Sequence, residues 1–427
     1  MKIGVAGLWH LGVTYAVGFA ELGHDVIGYD PDPDSIKSFQ SGELRVHEPG
    51  LVDLLKSNAE GRRLKFTSQV SDLENLELFV LAYDTPVDDN DNADVDYVMS
   101  EFKRIAKHLN ADTHVMLSSQ LPVGSSEVIT DLLAEKGHRG RVLVQPENLR
   151  LGKAIDSFFQ PGRIIVGTKD GLADPVAIKA FAGVDAPIQW MHQKSAEVTK
   201  HALNAFLATS VTFMGELSEI CEQVGADAKE VELGLKSDSR IGMKAYLSPG
   251  LGFAGGTLAR DVRKLSSLQG EIRADPAIFT SLLISNKHNN EWISRTLKKI
   301  TSEKRGLKIC FWGVSYVENT DTLRRSEIYI TMQRLVTQGF EVSYVENFPI
   351  KGGIDKNIHC FNEPKDSLQD IDILVVNKRL SKGLHGDLLS GLLESERLWI
   401  LDPSRLLLEL NPDFLGNPRY KTVGYGK

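Results

Sequence analysis

Two polar side chains lie on the apolar face of a predicted helix. Lys200 and Asn204 are separated by one helical turn, so they share a face. Lys200 also precedes Leu203 by three residues, which continues the apolar stripe and points the lysine inward. An inward lysine without a partner is costly. An ammonium beside an amide can stabilise negative charge that develops on an oxygen during a reaction. The structural alternative is a lysine whose stem packs on the apolar face while its ammonium reaches the surface.

A glycine-containing turn follows the first predicted strand and opens a helix. Residues 7–12 read GLWHLG, a GxGxxG pattern in which Trp9 replaces the middle glycine. Asp30 ends the second strand, 18 residues beyond Gly12, where an acid binds the adenosine ribose and favours NAD over NADP. Helix N-terminal amides remain available to the phosphates. We therefore predict an NAD site, with a purely structural turn as the alternative. The predicted contacts are Gly7, Trp9, His10, Leu11, Gly12 and Asp30.

A carboxylate follows the end of another predicted strand. Glu147 comes directly after Pro146, at the edge of a parallel sheet where working carboxylates are common. A solvated loop glutamate is the alternative, and position alone does not decide between the two.

Strands that alternate with helices surround these residues. The candidate strands are Lys2–Ala6, Asp25–Tyr29, Leu78–Ala82, His114–Leu117, Val142–Val144, Ile164–Val166 and Pro187–Trp190, then Lys308–Trp312, Glu341–Val345, Ile373–Val376 and Leu398–Leu401. Such alternation is typical of parallel sheets covered on both faces. From about Ser195 to Val224 the apolar residues recur with a helical period, and a further helix is predicted from Asp275 to about Ile300.

The fold class that follows is α/β, with two Rossmann-like, doubly wound parallel-sheet domains joined by a long central helix. We expect an NAD-binding domain over residues 1–192, a central helical and dimerisation region over 193–303, and a second Rossmann-like domain over 304–427. The last of these is expected to bind the substrate.

Composition narrows the class of protein. The 427 residues are 42% hydrophobic and carry a formal charge of −8, which argues against a nucleic-acid-binding surface. The first residues start a strand without the pattern of a signal peptide, and no apolar run is long enough to span a bilayer. Cys221, Cys310 and Cys360 are widely separated and show no metal-binding spacing. We expect a cytoplasmic protein without a metal or a membrane contact.

Several ordered motifs resemble the UDP-glucose/GDP-mannose dehydrogenase family and extend over nearly the whole chain. They are LAYDTP at 81–86, SSQLPVGS at 118–125, PENLR at 146–150, PGRIIVG at 161–167, KHALNAFLA at 200–208, DSRIG at 238–242, PGLGFAGG at 249–256, and the group around Gly313, Asn319 and Arg324–Ser326. The resemblance implies an NAD-dependent oxidation of the C6 hydroxyl of a nucleotide sugar that is similar to UDP-glucose.

The same resemblance implies roles for individual residues. Lys200 and Asn204 would stabilise charge on the sugar oxygen, Asp261 would order a proton-accepting water, and Glu147 would activate water. Further cofactor contacts would come from Thr85, Pro86, Gln120 and Arg260. The substrate would contact Glu147, Asn148, Leu149, Arg150, Lys200, Asn204, Arg240, Phe253, Gly255, Gly256 and Arg324.

The chain departs from the family pattern at functional positions. Thr257 stands where the family has its nucleophilic cysteine, and an alcohol needs a dedicated base that a thiol does not. Val317 replaces a lysine expected at the substrate diphosphate, Arg260 replaces another lysine, and Gln120 replaces a threonine. Asp84 introduces a carboxylate beside the cofactor segment.

Three hypotheses follow. The first is a two-electron dehydrogenase that stops at the aldehyde. The second is a four-electron oxidation through the aldehyde hydrate, with Glu147 as base. The third is a catalytically silent protein that binds NAD or a nucleotide sugar. We rank them in this order. Retention of Glu147, Lys200, Asn204, Arg240 and Asp261 argues against the third hypothesis, whereas the replacements at Trp9, Thr257 and Val317 argue for it. By resemblance, Arg240 would reach the sugar of a neighbouring subunit in a homodimer built on the central helix.

Overall fold

The chain forms two compact units, Met1–His201 and Ala202–Lys427. The computed structural model describes all residues except 45–47, 87–93, 148, 151, 254–256, 271, 273–276, 302–305, 316–322, 324–325, 348–349, 351–352, 380–385 and 427. Within the described part of the chain, no helix combines the length and the apolar character that a bilayer crossing requires.

The first unit is built on an eight-stranded sheet. Its strand order is β3-β2-β1-β4-β5-β6-β7-β8. The strands are β1 Lys2–Ala6, β2 Asp25–Tyr29, β3 Leu64–Thr67, β4 Leu78–Leu81, β5 His114–Leu117, β6 Val142–Val144, β7 Ile164–Thr168 and β8 Ile188–His192. Strands β2 and β3 extend the sheet on one side of β1, and β4 begins its extension on the other side. This switch in strand order places a crevice at the carboxyl ends of β1 and β4. The glycine turn follows β1, so it lies at this crevice.

One pair of strands departs from the predicted parallel arrangement. β7 runs antiparallel to β6, through a single bridge between Val144 and Gly167, whereas the other neighbours in the sheet are parallel. A strand that pairs in parallel with the preceding one needs a crossover connection that returns the chain to the other end of the strands. An antiparallel strand needs no such crossover. The sequence pattern of an apolar strand does not encode its direction.

Helices cover both faces of this sheet. They are α1 His10–Glu21, α2 Pro33–Ser41, α3 Leu51–Glu60, α4 Val95–Ile105, α5 Ser125–Ala134, α6 Ala154–Phe159 and α7 Pro175–Ala180. The side chains of Asp32, Asp94 and Asp174 accept hydrogen bonds from first-turn amides and so fix where α2, α4 and α7 begin. One face of the sheet packs around Phe19 and Phe158, and the other around Phe79 and Phe102.

A 32-residue helix, α8 Gln193–Val224, runs through the boundary between the two units. At 1.5 Å per residue it is about 48 Å long. Met214 and Cys221 are buried, but Phe206, Phe213 and Ile220 are 69%, 48% and 56% exposed. These three residues of the predicted apolar stripe therefore face away from their own chain.

The second unit contains helices and a six-stranded sheet in which every pair is parallel. The sheet order is β11-β10-β9-β12-β13-β14, with β9 Lys308–Trp312, β10 Glu341–Val345, β11 Ile358–Phe361, β12 Ile373–Val376, β13 Trp399–Leu401 and β14 Tyr420–Lys421. The helices are α9 Ala228–Ser237, α10 Thr257–Gly270, α11 Ile278–Asn290, α12 Trp292–Thr301, α13 Glu327–Thr337, α14 Pro364–Ser367, α15 Gly386–Glu394 and α16 Leu406–Leu410. The predicted fold class, two Rossmann-like lobes and a long connecting helix, is confirmed.

The prediction of one continuous helix from Asp275 to about Ile300 is wrong, and its predicted start at Asp275 lies outside the described residues. The described part of this segment forms two helices, α11 and α12, separated at Glu291. Trp292 opens α12 as a buried residue whose indole N–H donates to Glu222 Oε1 at 2.9 Å. This contact lies 70 residues away in sequence, so a local pattern does not reveal the break.

Candidate functional site

The glycine turn after β1 is tightly packed. Gly7 has φ +93, and a Cβ there would lie 2.6 Å from Tyr83 Cα. A Cβ on Gly12 would lie 2.1 Å from the carbonyl oxygen of Gly7. Helix α1 therefore packs so closely against the turn that only glycine fits at position 12. Trp9 has φ −89 and its side chain is 45% exposed. The backbone conformation at the middle position therefore does not require glycine.

Two carboxylates bind the amides of this turn. Asp30, at the end of β2, accepts a hydrogen bond from Leu8 N at 3.2 Å through Oδ2. Asp84, just beyond β4, accepts one from Leu11 N at 3.0 Å. The glycines and Asp30 fit an adenine dinucleotide, since the acid stands where the ribose hydroxyls bind. Asp84 is the exception, because it binds an amide that the phosphates would use.

Residues at the ends of neighbouring strands complete the predicted cofactor segment. Thr85 is buried, and its hydroxyl donates to the carbonyl oxygen of Gln120 at 2.8 Å. Pro86 is exposed beside it. The structure thus brings together the segments after β4 and β5. Arg260 is on α10 in the second unit.

Lys200 is paired with Glu147. Its Nζ lies 2.6 Å from Glu147 Oε1 and 2.8 Å from the carbonyl oxygen of the same residue. The two side chains are 12% and 18% exposed. The ammonium therefore does not reach the surface, and the alternative of a lysine with a solvated head is wrong. Glu147 Oε2 also accepts a hydrogen bond from Leu149 N at 3.0 Å, which fixes the carboxylate. Arg150 is exposed nearby.

A buried hydrogen-bond network lies beneath this pair and was missed from the sequence. The Tyr15 hydroxyl donates to Gln145 Oε1, and the Ser118 hydroxyl donates to the same oxygen at 3.0 Å. Burial raises the pKa of Tyr15, so the hydroxyl stays protonated. A cavity of about 30 Å³ next to it is lined by Ser118, Gln120, Glu147, Lys200 and His201. The network supports the segment that carries Glu147.

Asn204 and Asp261 form a second pair, within the second unit. Asn204 Nδ2 donates to Asp261 Oδ2, and the residues are 7% and 0% exposed. Asp261 thereby orients the amide of Asn204. Thr257 is the exposed first residue of α10, one turn before Asp261. Among the residues that the structure describes, the Thr257 side chain forms no hydrogen bond.

A cavity of about 650 Å³ lies in the second unit. It is lined by residues 245–253 together with Leu258, Asn290, Ser315, Ser326 and Asn377, among others. The Asn286 amide holds Phe253, accepting from its N–H at 2.7 Å and donating to its carbonyl at 2.9 Å. Asn290 is 9% exposed, and its Oδ1 has no hydrogen-bond partner among the described residues. The volume of this cavity is typical of sites that hold small organic ligands.

The remaining predicted substrate contacts are Arg240, which is exposed, and four residues that the structure does not describe. The Arg240 side chain is 87% exposed and donates to both carboxylate oxygens of Asp238. Asn148, Gly255, Gly256 and Arg324 lie outside the described residues, as does Val317.

Glu48 is a buried charged residue that the sequence analysis missed. Its side chain is fully buried, and its carboxylate contacts His10 Nε2 at 2.9 Å, Gly152 N at 2.9 Å and Ala154 N at 2.7 Å. His10 is the first residue of α1, and Ala154 is the first of α6. Glu48 therefore ties the glycine turn to the segment that follows Glu147.

The Glu48→Ala substitution is expected to lower the free energy of unfolding by about 2–4 kcal/mol, because it leaves buried donors unsatisfied. Differential scanning calorimetry of the first unit's transition measures this. Glu43→Ala, at an exposed position nearby, is the matched control and should change stability by less than about 0.5 kcal/mol. Equal effects of the two substitutions would show that the Glu48 contacts contribute nothing.

The fold and the turn define a protein with a Rossmann-type dinucleotide-binding domain followed by a central helix and a second α/β lobe. Models of the UDP-glucose/GDP-mannose dehydrogenase family match this chain twice, its NAD binding domain at residues 1–183 and its central domain at residues 194–288. The chain belongs to the UDP-glucose/GDP-mannose dehydrogenase family, whose members are NAD-dependent nucleotide-sugar dehydrogenases, and its cofactor is NAD. The predicted family is confirmed.

Curated relatives support this assignment over most of the chain. UDP-glucose 6-dehydrogenase YwqF of Bacillus subtilis is 33% identical over 342 residues, which are 78% of this chain and 77% of the relative. UDP-glucose 6-dehydrogenase of Rickettsia typhi is 28% identical over 435 residues, covering 100% of this chain and 98% of the relative.

Solved structures share the same fold. The UDP-glucose dehydrogenase of Pyrobaculum islandicum superposes with a TM-score of 0.86 at 25% identity, covering 99% of this chain and 98% of that one. The UDP-D-ManNAc dehydrogenase of Pyrococcus horikoshii gives 0.80 at 22% identity, with both chains fully covered.

Proposed function

We propose that this protein oxidises the C6 hydroxyl of a UDP-linked hexose with NAD and releases the aldehyde. The observation that carries the proposal is that α8 holds Lys200, which pairs with Glu147, one turn before Asn204, which pairs with Asp261. Both donors are held by carboxylates and are shielded from water, where donors stabilise a developing charge most effectively.

These contacts support the following proposed roles of the residues. In the reaction C6 loses a hydride and the hydroxyl proton leaves to water. Lys200 and Asn204 donate to the C6 oxygen as negative charge develops on it. Glu147 positions the ammonium, and Asp261 positions the amide. NAD supplies the hydride acceptor when it is bound.

The stop at the aldehyde rests on Thr257. Oxidation of an aldehyde to an acid requires a nucleophile to add to the carbonyl, and an alcohol adds only with the help of a base. Thr257 is exposed at the start of α10, and its hydroxyl has no base bonded to it among the described residues. The two-electron reaction needs no such nucleophile.

The cavity of about 650 Å³ supports a nucleotide sugar as the substrate. Its volume lies within the usual range for sites of small organic ligands. Phe253 lines the wall. The UDP-linked hexose is preferred because the curated relatives are UDP-glucose 6-dehydrogenases.

Incubation of the purified protein with NAD and, separately, UDP-glucose, a UDP-N-acetylhexosamine and GDP-mannose tests the proposal. We expect NADH to form, with UDP-glucose as the best substrate. NADH formation from none of the three, by a protein that binds NAD, would leave a silent nucleotide-sugar-binding homologue as the function.

We further propose a homodimer formed by α8. Phe206, Phe213 and Ile220 recur every seven residues and form one exposed apolar stripe, which we call the α8 stripe. An exposed apolar stripe of this kind is typical of a subunit interface. In the dimer, Arg240, which is exposed, would reach the substrate of the neighbouring subunit. Residues 193–303 then act as the dimerisation region between two Rossmann-like domains.

The Phe213→Glu substitution is expected to convert the dimer to a monomer, because it places a charge in the middle of the α8 stripe. Analytical ultracentrifugation of both proteins at several concentrations measures the mass. Val128→Glu is the matched control, since Val128 is 56% exposed on α5. An unmodified protein that sediments as a monomer would contradict the α8 dimer.

A further inference from the structure

The N-terminus of α1 is capped from a distant part of the chain. The first amides of a helix have no partner within the helix, and in a dinucleotide site they bind phosphate. The N-cap residue Trp9 makes no side-chain hydrogen bond to these amides, and the first turn of α1 contains no acidic residue. The capping group is instead Asp84, which accepts from Leu11 N at 3.0 Å and lies 73 residues away.

The position of Asp84 follows from the sheet. β4 pairs with β1 in parallel, with Leu81 opposite Ala6, so the segments after both strands meet at the same edge. Asp84 is three residues beyond β4 and Gly7 is directly beyond β1. A carboxylate on this segment therefore reaches the amide at the start of α1. The Asp84 carboxylate occupies the position that a bound anion would take at the N-terminus of α1.

We propose that Asp84 competes with the cofactor pyrophosphate for the amide of Leu11 and thereby limits the affinity of this protein for NAD. The inference rests on the NAD site that the proposed function uses. Asp84 must release the Leu11 amide before a phosphate oxygen can accept from it. Its exposed carboxylate then remains close to a group that carries two negative charges, which further weakens binding.

Two substitutions separate charge from shape. Asp84→Asn keeps an acceptor for the Leu11 amide but removes the negative charge. Asp84→Ser removes the charge and also shortens the side chain, which opens the end of α1. The matched control is Asp34→Asn, on α2, because Asp34 is an exposed acid in a surface ion pair with Lys37.

Isothermal titration calorimetry with NAD, ADP-ribose and adenosine tests the inference on the full-length protein. We expect both Asp84 variants to bind NAD and ADP-ribose at least about fivefold more tightly at low salt. Adenosine, which has no phosphate, should bind all proteins equally, and Asp34→Asn should match the unmodified protein. The gain should shrink as salt is raised, because exposed charges are screened.

Unchanged or weaker NAD binding by Asp84→Ser would overturn the inference, as would an equal gain for adenosine. The absence of NAD binding in every variant would also overturn it. In that case a feature other than the Asp84 carboxylate would prevent NAD from binding. These outcomes are independent of the oxidation reaction. A protein whose NAD affinity rises as expected but that oxidises no nucleotide sugar would contradict the proposed function alone.

Discussion

Replacing Lys200 by methionine is expected to lower kcat for nucleotide-sugar oxidation by roughly 100- to 1,000-fold. The ammonium is the only charged donor that we assign to the C6 oxygen, and methionine keeps the length of the stem without the charge. Substrate binding should change much less, because the effect falls on charge that develops in the transition state. Initial-rate kinetics of NADH formation give kcat and KM separately.

Lys194→Met is the matched control for this prediction. Lys194 lies on the same helix and also forms an ion pair, with Glu127, but both side chains are 58% exposed. It should leave kcat within about twofold of the unmodified value, since exposed pairs contribute little. A Lys200→Met protein with a normal melting temperature and normal kcat would exclude Lys200 from the chemistry.

Replacing Arg405 by methionine is expected to lower the free energy of unfolding of the second unit by about 3–5 kcal/mol. Arg405 is 7% exposed, and its guanidinium lies 2.6 Å from Asp227 Oδ1 at the start of α9. It also donates to the carbonyl oxygens of Val423 and Gly424, so it fastens the C-terminal segment. Methionine leaves Asp227 and these carbonyls without their donor.

A loss of about 3 kcal/mol, the lower end of the range given for the free energy, corresponds to a decrease in Tm of about 6–12 °C for a unit of this size. Calorimetry measures it. The control is Arg397→Met, because the Arg397 side chain is 72% exposed and its contacts with Asp370 and Asp372 are long. A decrease in Tm that is the same for both variants would show that the Arg405 contacts do not hold the C-terminus.

The interior strands could be predicted from the sequence almost to the residue. β1, β2 and β9 coincide with the predicted ranges because buried parallel strands are continuous apolar runs between turns. β3, β11 and β14 were not predicted. They lie at the edge of a sheet, and their mixed polarity or short length gives no such run.

The candidate site was predicted less completely than the fold. The helical period places Lys200 and Asn204 on one face, but their partners lie 53 and 57 residues away and depend on tertiary packing. For the same reason, local patterns do not reveal Glu48 or the bond between Asp84 and Leu11. Periodicity also does not distinguish a stripe buried in its own chain from one exposed on the surface. The exposed Phe213 on α8 is the example.

The number of NADH molecules formed for each nucleotide sugar consumed tests the central proposal most directly. The protein is incubated with limiting UDP-glucose and excess NAD, and both NADH and remaining nucleotide sugar are quantified at completion. We predict one NADH per sugar, with an aldehyde as the product, because Thr257 provides no activated nucleophile for a second oxidation. Two NADH per sugar, with an acid as the product, would contradict the two-electron reaction.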